Sequence, residues 1–143
     1  MRVMAIDYGD ARTGVAVSDE SASLTGDAWV IQERDQKAVA NIIAAEAASR
    51  NARVIVVGYP KNMNGSVGPR AEKSELLAQL LRSLCDIEVV LWDERMTTVS
   101  AHRILSDTGR HGKKRKQTID AVAASIILES YLRACLKTPR PPS

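Results

Sequence analysis

One carboxylate, Asp7, stands between a continuously apolar run and a turn marked by two glycines. Residues 3–6 are apolar at every position, which is typical of a strand covered on both faces. Gly9 and Gly14 mark a tight reversal, and residues 15–17 form a second apolar run, so an antiparallel pair of strands is predicted. Asp7 then lies at the carboxyl end of the first strand. An Asp there can also simply stabilise the turn through local hydrogen bonds, so the rest of the chain must decide its role.

The remaining pattern alternates apolar runs with segments of helical periodicity. This order predicts an α/β fold with a five-stranded mixed sheet flanked by helices. We predict one domain over residues 1–137 and a disordered tail at 138–143, where three prolines prevent a helix from continuing. The predicted elements are strands at 3–6, 15–17, 28–31, 53–57 and 88–92, and helices at 36–50, after Pro69, at 102–105 with Thr97 or Thr98 as its cap, and from Thr118 to about Lys137.

Composition restricts the type of core and the class of protein. The 143 residues include no Phe and only 3% aromatic residues, so the core must be aliphatic. Residues 1–20 contain no long apolar segment, so neither a signal peptide nor a membrane span is predicted, and we expect a cytoplasmic protein. Cys85 and Cys135 lie 50 positions apart without a CxxC or Cys/His spacing. They are therefore expected to be buried thiols rather than a zinc site or a redox pair.

The net charge of +3 is unevenly distributed along the chain. Residues 102–117 carry six basic side chains against the single acid Asp107, so this segment contributes +5 and the remainder −2. Such a cluster indicates a polyanionic partner, although a charged run can also be a solvated loop. We interpret the segment as a basic loop immediately before the last helix. Its six basic residues are Arg103, Arg110, Lys113, Lys114, Arg115 and Lys116.

Three acidic positions stand where an apolar element begins or ends: Asp7, the adjacent pair Asp93 and Glu94, and Asp120. Because the carboxyl ends of strands meet at one edge of an α/β sheet, Asp7 and the Asp93/Glu94 pair should lie close together. Neighbouring strand residues point to opposite faces, so spacing leaves open which member of the pair turns toward Asp7. Asp120 is predicted in the first turn of the last helix, on its apolar face. The alternative is that its carboxylate only interacts with the positive end of the helix dipole.

Converging carboxylates repel one another and raise at least one pKa unless a cation neutralises them. Mg²⁺ or Mn²⁺ is the predicted occupant, because these hard ions take oxygen ligands and the chain offers no His/Cys set. Such ions can activate water for phosphodiester hydrolysis without a protein nucleophile.

Four motifs carry a resemblance to a known family: residues 7–9 with 12–16, residues 58–60 with 62–65, residues 93–98, and Asp120 with residues 123–124. With these motifs in this order, over residues 2 to about 132, the chain resembles the YqgF family, whose members are described as Holliday-junction resolvases or as nucleases that mature the small-subunit rRNA precursor. The resemblance implies an RNase H-like fold and a metal-dependent endonuclease whose catalytic and metal-binding acids match Asp7, Glu94 and Asp120, with Asp93 as the alternative to Glu94. Asn64 departs from the acid frequent in the family.

A nucleic acid is the predicted partner, with RNA favoured over branched DNA and with no membrane contact. Few aromatic residues are available for stacking on bases, so recognition of backbone and shape is expected. A monomer is favoured because no apolar helix face is left for a second copy, whereas a resolvase would need a dimer. The predicted nucleic-acid contacts are Arg12, Arg95, Arg110, Lys113, Lys114, Arg115 and Lys116.

Two rival functions remain for comparison. The Asp-x-Gly turn after the first strand also resembles the phosphate loop of actin-like and sugar kinases, but those enzymes close two such domains over the nucleotide and 143 residues supply one. The second rival is a catalytically silent RNA-binding module with the same fold. The presence of all three acids argues against it.

Overall fold

The computed structural model describes residues 1–19, 25–62, 64–94 and 112–137 of the chain. Five strands and three helices lie in these ranges, and all five predicted strands are confirmed. The strands are β1 (Arg2–Asp7), β2 (Arg12–Ser18), β3 (Thr25–Gln32), β4 (Ala52–Tyr59) and β5 (Glu88–Asp93), and the helices are α1 (Gln36–Ser49), α2 (Pro69–Leu84) and α3 (Gly112–Lys137).

The strands form one mixed sheet in the order β3-β2-β1-β4-β5. β1 pairs antiparallel with β2, and β2 with β3, as expected for strands joined by short turns. β1 and β4 are parallel, and so are β4 and β5. The carboxyl ends of β1, β4 and β5 therefore lie along one edge, as the positions of the acidic residues predicted.

The helices cover both faces of the sheet, which makes three layers. One face packs against α1 and α2 through Met4, Ile6 and Ile55, and the other packs against α3 through Ala5 and Val56. Neighbouring positions of β1 and β4 thus belong to different cores, because successive strand side chains point to opposite faces. This two-sided burial explains why these strands are continuously apolar in sequence.

The helix α3 begins at Gly112, six residues earlier than the predicted start at Thr118. The segment 113–117 is therefore helical, and the prediction that its basic residues form a loop is wrong. Lys, Arg and Gln are good helix formers, and no proline interrupts them, so charge alone did not identify a loop. Asp120 consequently lies two turns inside the helix instead of in its first turn, beyond the range over which the helix dipole acts strongly.

The buried face of α3 includes Ala124, Ile127 and Leu128. Ala124 and Ile127 lie four and seven positions after Asp120, so Asp120 is on the apolar face of the helix, as predicted.

Two other expectations need correction. Cys85 and Cys135 are free thiols, but both are half-buried and not fully buried. The helix α2 exposes Leu76 and Leu84, so the expectation that no apolar helix face is left over is wrong. That correction removes the argument for a monomer, which stays a prediction.

Several predicted features lie outside the described residues: Arg95, Arg110, the Thr97 or Thr98 cap with its helix at 102–105, and the tail at 138–143. Within the described ranges, no helix is long and apolar enough to cross a membrane.

The backbone of α3 lies directly on β2 at Gly14. A Cβ on Gly14 would overlap the carbonyl oxygen of Asp120, so no other residue fits without moving the helix. Gly68, which precedes α2, is a useful contrast because its added Cβ would meet only Asn62 side-chain atoms, at 3.5 Å and beyond.

We expect Gly14→Ala to lower the free energy of unfolding by ~1–3 kcal/mol or more, because the helix and the sheet must separate. Gly68→Ala should cost less than ~1 kcal/mol. Urea denaturation of both variants measures the difference. Equal effects of the two substitutions would contradict the close contact at Gly14.

Candidate active site

Asp7 is the last residue of β1 and lies on the face of the sheet that α3 covers. Val3 and Ala5 on the same strand belong to the core beneath α3, and strand alternation places Asp7 on their side. Asp7 pairs directly with Gly14 of β2, the residue on which α3 rests. The half-buried Asp7 carboxyl group is therefore enclosed between the sheet edge and the helix.

Glu94, rather than Asp93, is the member of the acidic pair that approaches Asp7. Trp92 pairs with Gly58 and packs beneath α3, and Glu94 follows two residues later on that same face. A Cβ on Gly58 would overlap Glu94 Oε1, so the glycine makes room for this side chain. Asp93 instead pairs with Tyr59, whose hydroxyl donates a hydrogen bond to Glu75 of α2 on the opposite face.

Asp120 enters the same region from α3 and is held by an arginine. Arg12 Nε donates to Asp120 Oδ2 at 3.1 Å, across 108 positions of sequence. Arg12 lies two residues before Gly14 on β2, hence on the same face. The ion pair is partly solvent-exposed, with 38% of the Arg12 side chain accessible, so its contribution to stability is small, ~0–1 kcal/mol.

The carboxyl groups of Asp7 and Glu94 share a hydrogen bond and an excess of negative charge. Burial, followed by the charge of Glu94, raises the pKa of Asp7 from 3.8 to about 7, with a smaller contribution from Asp120. Burial also raises the pKa of Glu94, although the hydrogen bond from Asp7 opposes this shift. The shared proton therefore belongs to Asp7, whose hydroxyl donates to the Glu94 carboxylate.

Arg70 is a site residue that the sequence interpretation missed. It is the second residue of α2, and its positive charge lowers the pKa of both Asp7 and Glu94. The sequence feature that could have identified Arg70 is the preceding Pro69, because proline is favoured at the first position of a helix. A helix beginning there, after a loop that follows β4, places the next side chain at the same sheet edge.

The loop between β4 and α2 satisfies its own backbone groups. Asn62 N donates to Ser66 O at 3.0 Å and Gly65 N donates to Asn62 O at 2.8 Å. Ser66 N donates to Asn64 Oδ1 at 3.0 Å, and Gly65 has a positive φ of 85°. These N–H groups are engaged within the loop, which indicates that the loop serves to turn the chain between β4 and α2.

The donor chemistry fits a hard divalent cation at Asp7 and Glu94. Two carboxyl groups face one another there, and oxygen ligands are those that Mg²⁺ and Mn²⁺ take. Among the described residues, no group of three His, Cys, Asp or Glu side chains is arranged to hold a metal ion. Asp120 is bound to Arg12 through Oδ2, so the fit rests on the first two acids.

The remaining predicted contacts are located only in part. The segment 113–116 forms the first turns of α3 and leads toward Asp120, so the backbone connects the basic residues to the acidic site. Arg12 lies at the site but is paired with Asp120.

Comparison with known proteins gives concordant results. The family model described as "RuvX: Holliday junction resolvase" matches residues 1–134. A Halothermothrix orenii protein named "Putative pre-16S rRNA nuclease" is 44% identical, with 92% of this chain and 94% of the relative covered. A Geobacillus sp. protein of the same name is 46% identical, with 92% and 97% covered.

Solved structures resemble the fold at low sequence identity. RuvC of T. thermophilus in complex with a Holliday junction substrate matches with a TM-score of 0.54 and 14% identity, covering 94% of this chain and 96% of RuvC. The fowlpox virus resolvase in complex with Holliday junction DNA matches with a TM-score of 0.56 and 10% identity, covering 95% and 99%. These proteins have RNase H-like folds, so the predicted RNase H-like fold is confirmed.

The raised pKa of Asp7 predicts that the contribution of this carboxyl group to stability falls as pH rises. Between about pH 4 and pH 7 Asp7 binds its proton more fully in the folded protein than in the unfolded chain, so its contribution is fully present below this window and is lost above it. In EDTA at about pH 8, Asp7→Asn should stabilise the protein by ~1–3 kcal/mol, with a smaller effect near pH 4. Urea denaturation at both pH values measures this.

Asp10→Asn is the matched control, because Asp10 is exposed and Lys73 lowers its pKa. It should give no gain at the higher pH. An effect of Asp7→Asn that is the same at both pH values would contradict the enclosed acid pair.

Proposed function

Because the chain belongs to the RuvX family of Holliday junction resolvases, we propose that it is a nuclease that hydrolyses phosphodiester bonds with Mg²⁺ or Mn²⁺. The observation that carries this proposal is the pairing of Asp7 with Glu94 at the carboxyl edge of the sheet. Acidic side chains are normally exposed, whereas these two are partly buried against each other. That arrangement costs stability, which is common at functional sites.

The proposed catalytic and metal-binding residues are Asp7, Glu94 and Asp120. A bound divalent ion would supply positive charge to the phosphate and a deprotonated water at neutral pH. Asp7 and Glu94 would hold that ion after losing their shared proton. Asp120 would contribute its carboxylate on release from Arg12, whose guanidinium could then contact a phosphate.

Two of the three acids depend on a neighbouring glycine for their position. Gly58 leaves room for Glu94 on the sheet face, and Gly14 lets α3 approach closely enough for Asp120 to lie across from Asp7. The three carboxylates come from two strand ends and a helix that share one core. Rigid packing of this kind can keep functional groups in place without contributions from flexible loops.

A precursor of small-subunit rRNA is the proposed substrate. Relatives named for action on pre-16S rRNA are 40–46% identical over nearly their whole length. The resolvases seen with junction DNA share only 10–14% identity, which supports the fold and not the substrate. The basic segment 113–116 would attract a phosphate backbone, with an affinity that falls as salt rises.

Resolution of branched DNA is the alternative, and the family description is the observation that favours it. It would require two active sites and hence a dimer. A silent RNA-binding module of the same fold is the alternative from another class; it would bind RNA without cutting it.

The direct test is cleavage of a pre-16S rRNA fragment and of a four-way DNA junction with Mg²⁺ or Mn²⁺, with the cut positions mapped. We expect cleavage of the RNA, and Asp7→Asn and Glu94→Gln should each lower kcat/KM by at least ~100-fold, because each removes a charge that stabilises the bound ion.

Asp93→Asn is the matched control, since it removes an adjacent carboxylate that faces α2, and it should change kcat/KM by less than ~3-fold. If the junction is cleaved in preference to the RNA, branched DNA replaces the rRNA precursor as the proposed substrate. Undiminished cleavage by Asp7→Asn, or binding of RNA without cleavage, would overturn the proposed activity.

A further inference from the structure

A cleft near the acid pair is lined by charged and polar side chains that have no role in the proposed reaction. Its volume is about 240 Å³, and we call it the β1–α2 cleft because its lining comes from the end of β1 and the start of α2. The lining residues are Tyr8, Gly9, Asp10, Arg70 and Lys73. Tyr8 packs against the α1 and α2 core, whereas Asp7 faces α3, so the cleft and the acid pair lie on the two sides of the same sheet edge. The positive charge of Arg70 acts on both acids across this edge.

The walls of this cleft are fixed to one another. Gln36 Nε2 donates to the carbonyl oxygen of Lys73 at 2.9 Å and is also hydrogen-bonded to the Tyr8 hydroxyl. The amide of α1 thus connects β1 to the first turns of α2. The separation of Tyr8 from Lys73 is therefore set by the fold.

The side chains of the cleft carry a net positive charge. Arg70 is exposed, and its guanidinium makes no hydrogen bond or ion pair with any described residue. Lys73 Nζ contacts Asp10 Oδ1 at 2.7 Å, but 48% of the lysine side chain and 75% of the aspartate side chain are accessible to solvent. An ion pair this exposed contributes little, so Lys73 can exchange Asp10 for another anion at small cost.

The positive charge of Arg70 also interacts with the carboxyl groups of Asp7 and Glu94, from the mouth of the cleft. A phosphate bound to Arg70 would therefore lie beside the acid pair. The planar guanidinium matches two oxygens of a phosphate at once, and Lys73 adds a second, compact charge.

We propose that Arg70 and Lys73 form a phosphate subsite that binds the phosphodiester next to the one being cut. The subsite rests on the proposed nuclease function: it holds the strand along the edge of the sheet so that the scissile phosphate meets Asp7 and Glu94. It recognises the backbone and not the base. Arg70 and Lys73 are positioning residues, since they contact a neighbouring phosphate.

The first experiment measures binding of a single-stranded RNA oligonucleotide by fluorescence anisotropy in EDTA, where no cleavage occurs. Arg70→Gln should weaken binding ~10-fold, and the slope of log affinity against log salt should become shallower by roughly 0.7, as expected for one lost phosphate contact. Lys73→Gln should act in the same direction.

Arg53→Gln is the matched control. Arg53 is also an exposed arginine, but it lies near the amino end of β4, at the opposite edge of the sheet. It should leave affinity and salt slope near the wild-type values. Equal losses in Arg70→Gln and Arg53→Gln would overturn the subsite, because they would reflect net charge alone.

The second experiment measures cleavage of the same RNA with Mn²⁺. Arg70→Gln should raise KM ~10-fold, and Arg70→Lys should recover part of the loss. If Arg70 only adjusted the acids, Arg70→Gln would shift the pH profile of kcat and leave RNA affinity unchanged, and this result would overturn the subsite. Thermal denaturation of each variant verifies folding, and Lys73→Gln tests the subsite independently if Arg70→Gln fails to fold.

The two proposals can fail separately. Wild-type protein that does not cleave, combined with an RNA affinity that depends on Arg70, would refute the nuclease function and retain a phosphate site. Cleaving protein whose KM and RNA affinity do not respond to Arg70 or Lys73 would refute the subsite and retain the nuclease.

Discussion

The contact between α3 and β2 at Gly14 is the constraint on which the acidic site depends. With no Cβ at this position, the helix backbone rests on the strand opposite Asp7. Farther along α3, Ala124, Ile127 and Leu128 are buried against the same face of the sheet. Asp120 thereby reaches the neighbourhood of Asp7 as a consequence of core packing, and any larger residue at position 14 would disturb helix, core and site together.

Two arginines bring positive charge to the acids. Arg12 pairs with Asp120, and Arg70 acts on Asp7 and Glu94 without contacting them. The pair instead shares a proton, which is how enclosed carboxyl groups avoid unpaired charge. A hard cation would relieve the same repulsion between the two carboxyl groups, so the proposed metal site and the raised pKa of Asp7 have one physical cause.

The sequence predicted the sheet well because strands buried on both faces must be apolar throughout, as residues 3–6 and 53–57 are. It did not distinguish Glu94 from Asp93, since that choice depends on the pairing of Trp92 with Gly58. The Arg12–Asp120 contact spans 108 positions and has no local signature. The basic segment before Thr118 has the charge of a solvated loop, but its Lys, Arg and Gln residues also favour a helix, so charge alone does not predict its structure. Arg70 has no distinctive signal in the sequence, because exposed arginines are common.

Direct measurement of Mn²⁺ binding by calorimetry tests the central claim, that Asp7 and Glu94 form a cation site on the α3 face. Wild-type protein and Asp93→Asn should bind Mn²⁺ with similar affinity, whereas Asp7→Asn and Glu94→Gln should each bind at least ~10-fold more weakly, because each removes one charged oxygen ligand. Absence of Mn²⁺ binding to the wild type, or equal binding by all four proteins, would contradict the account.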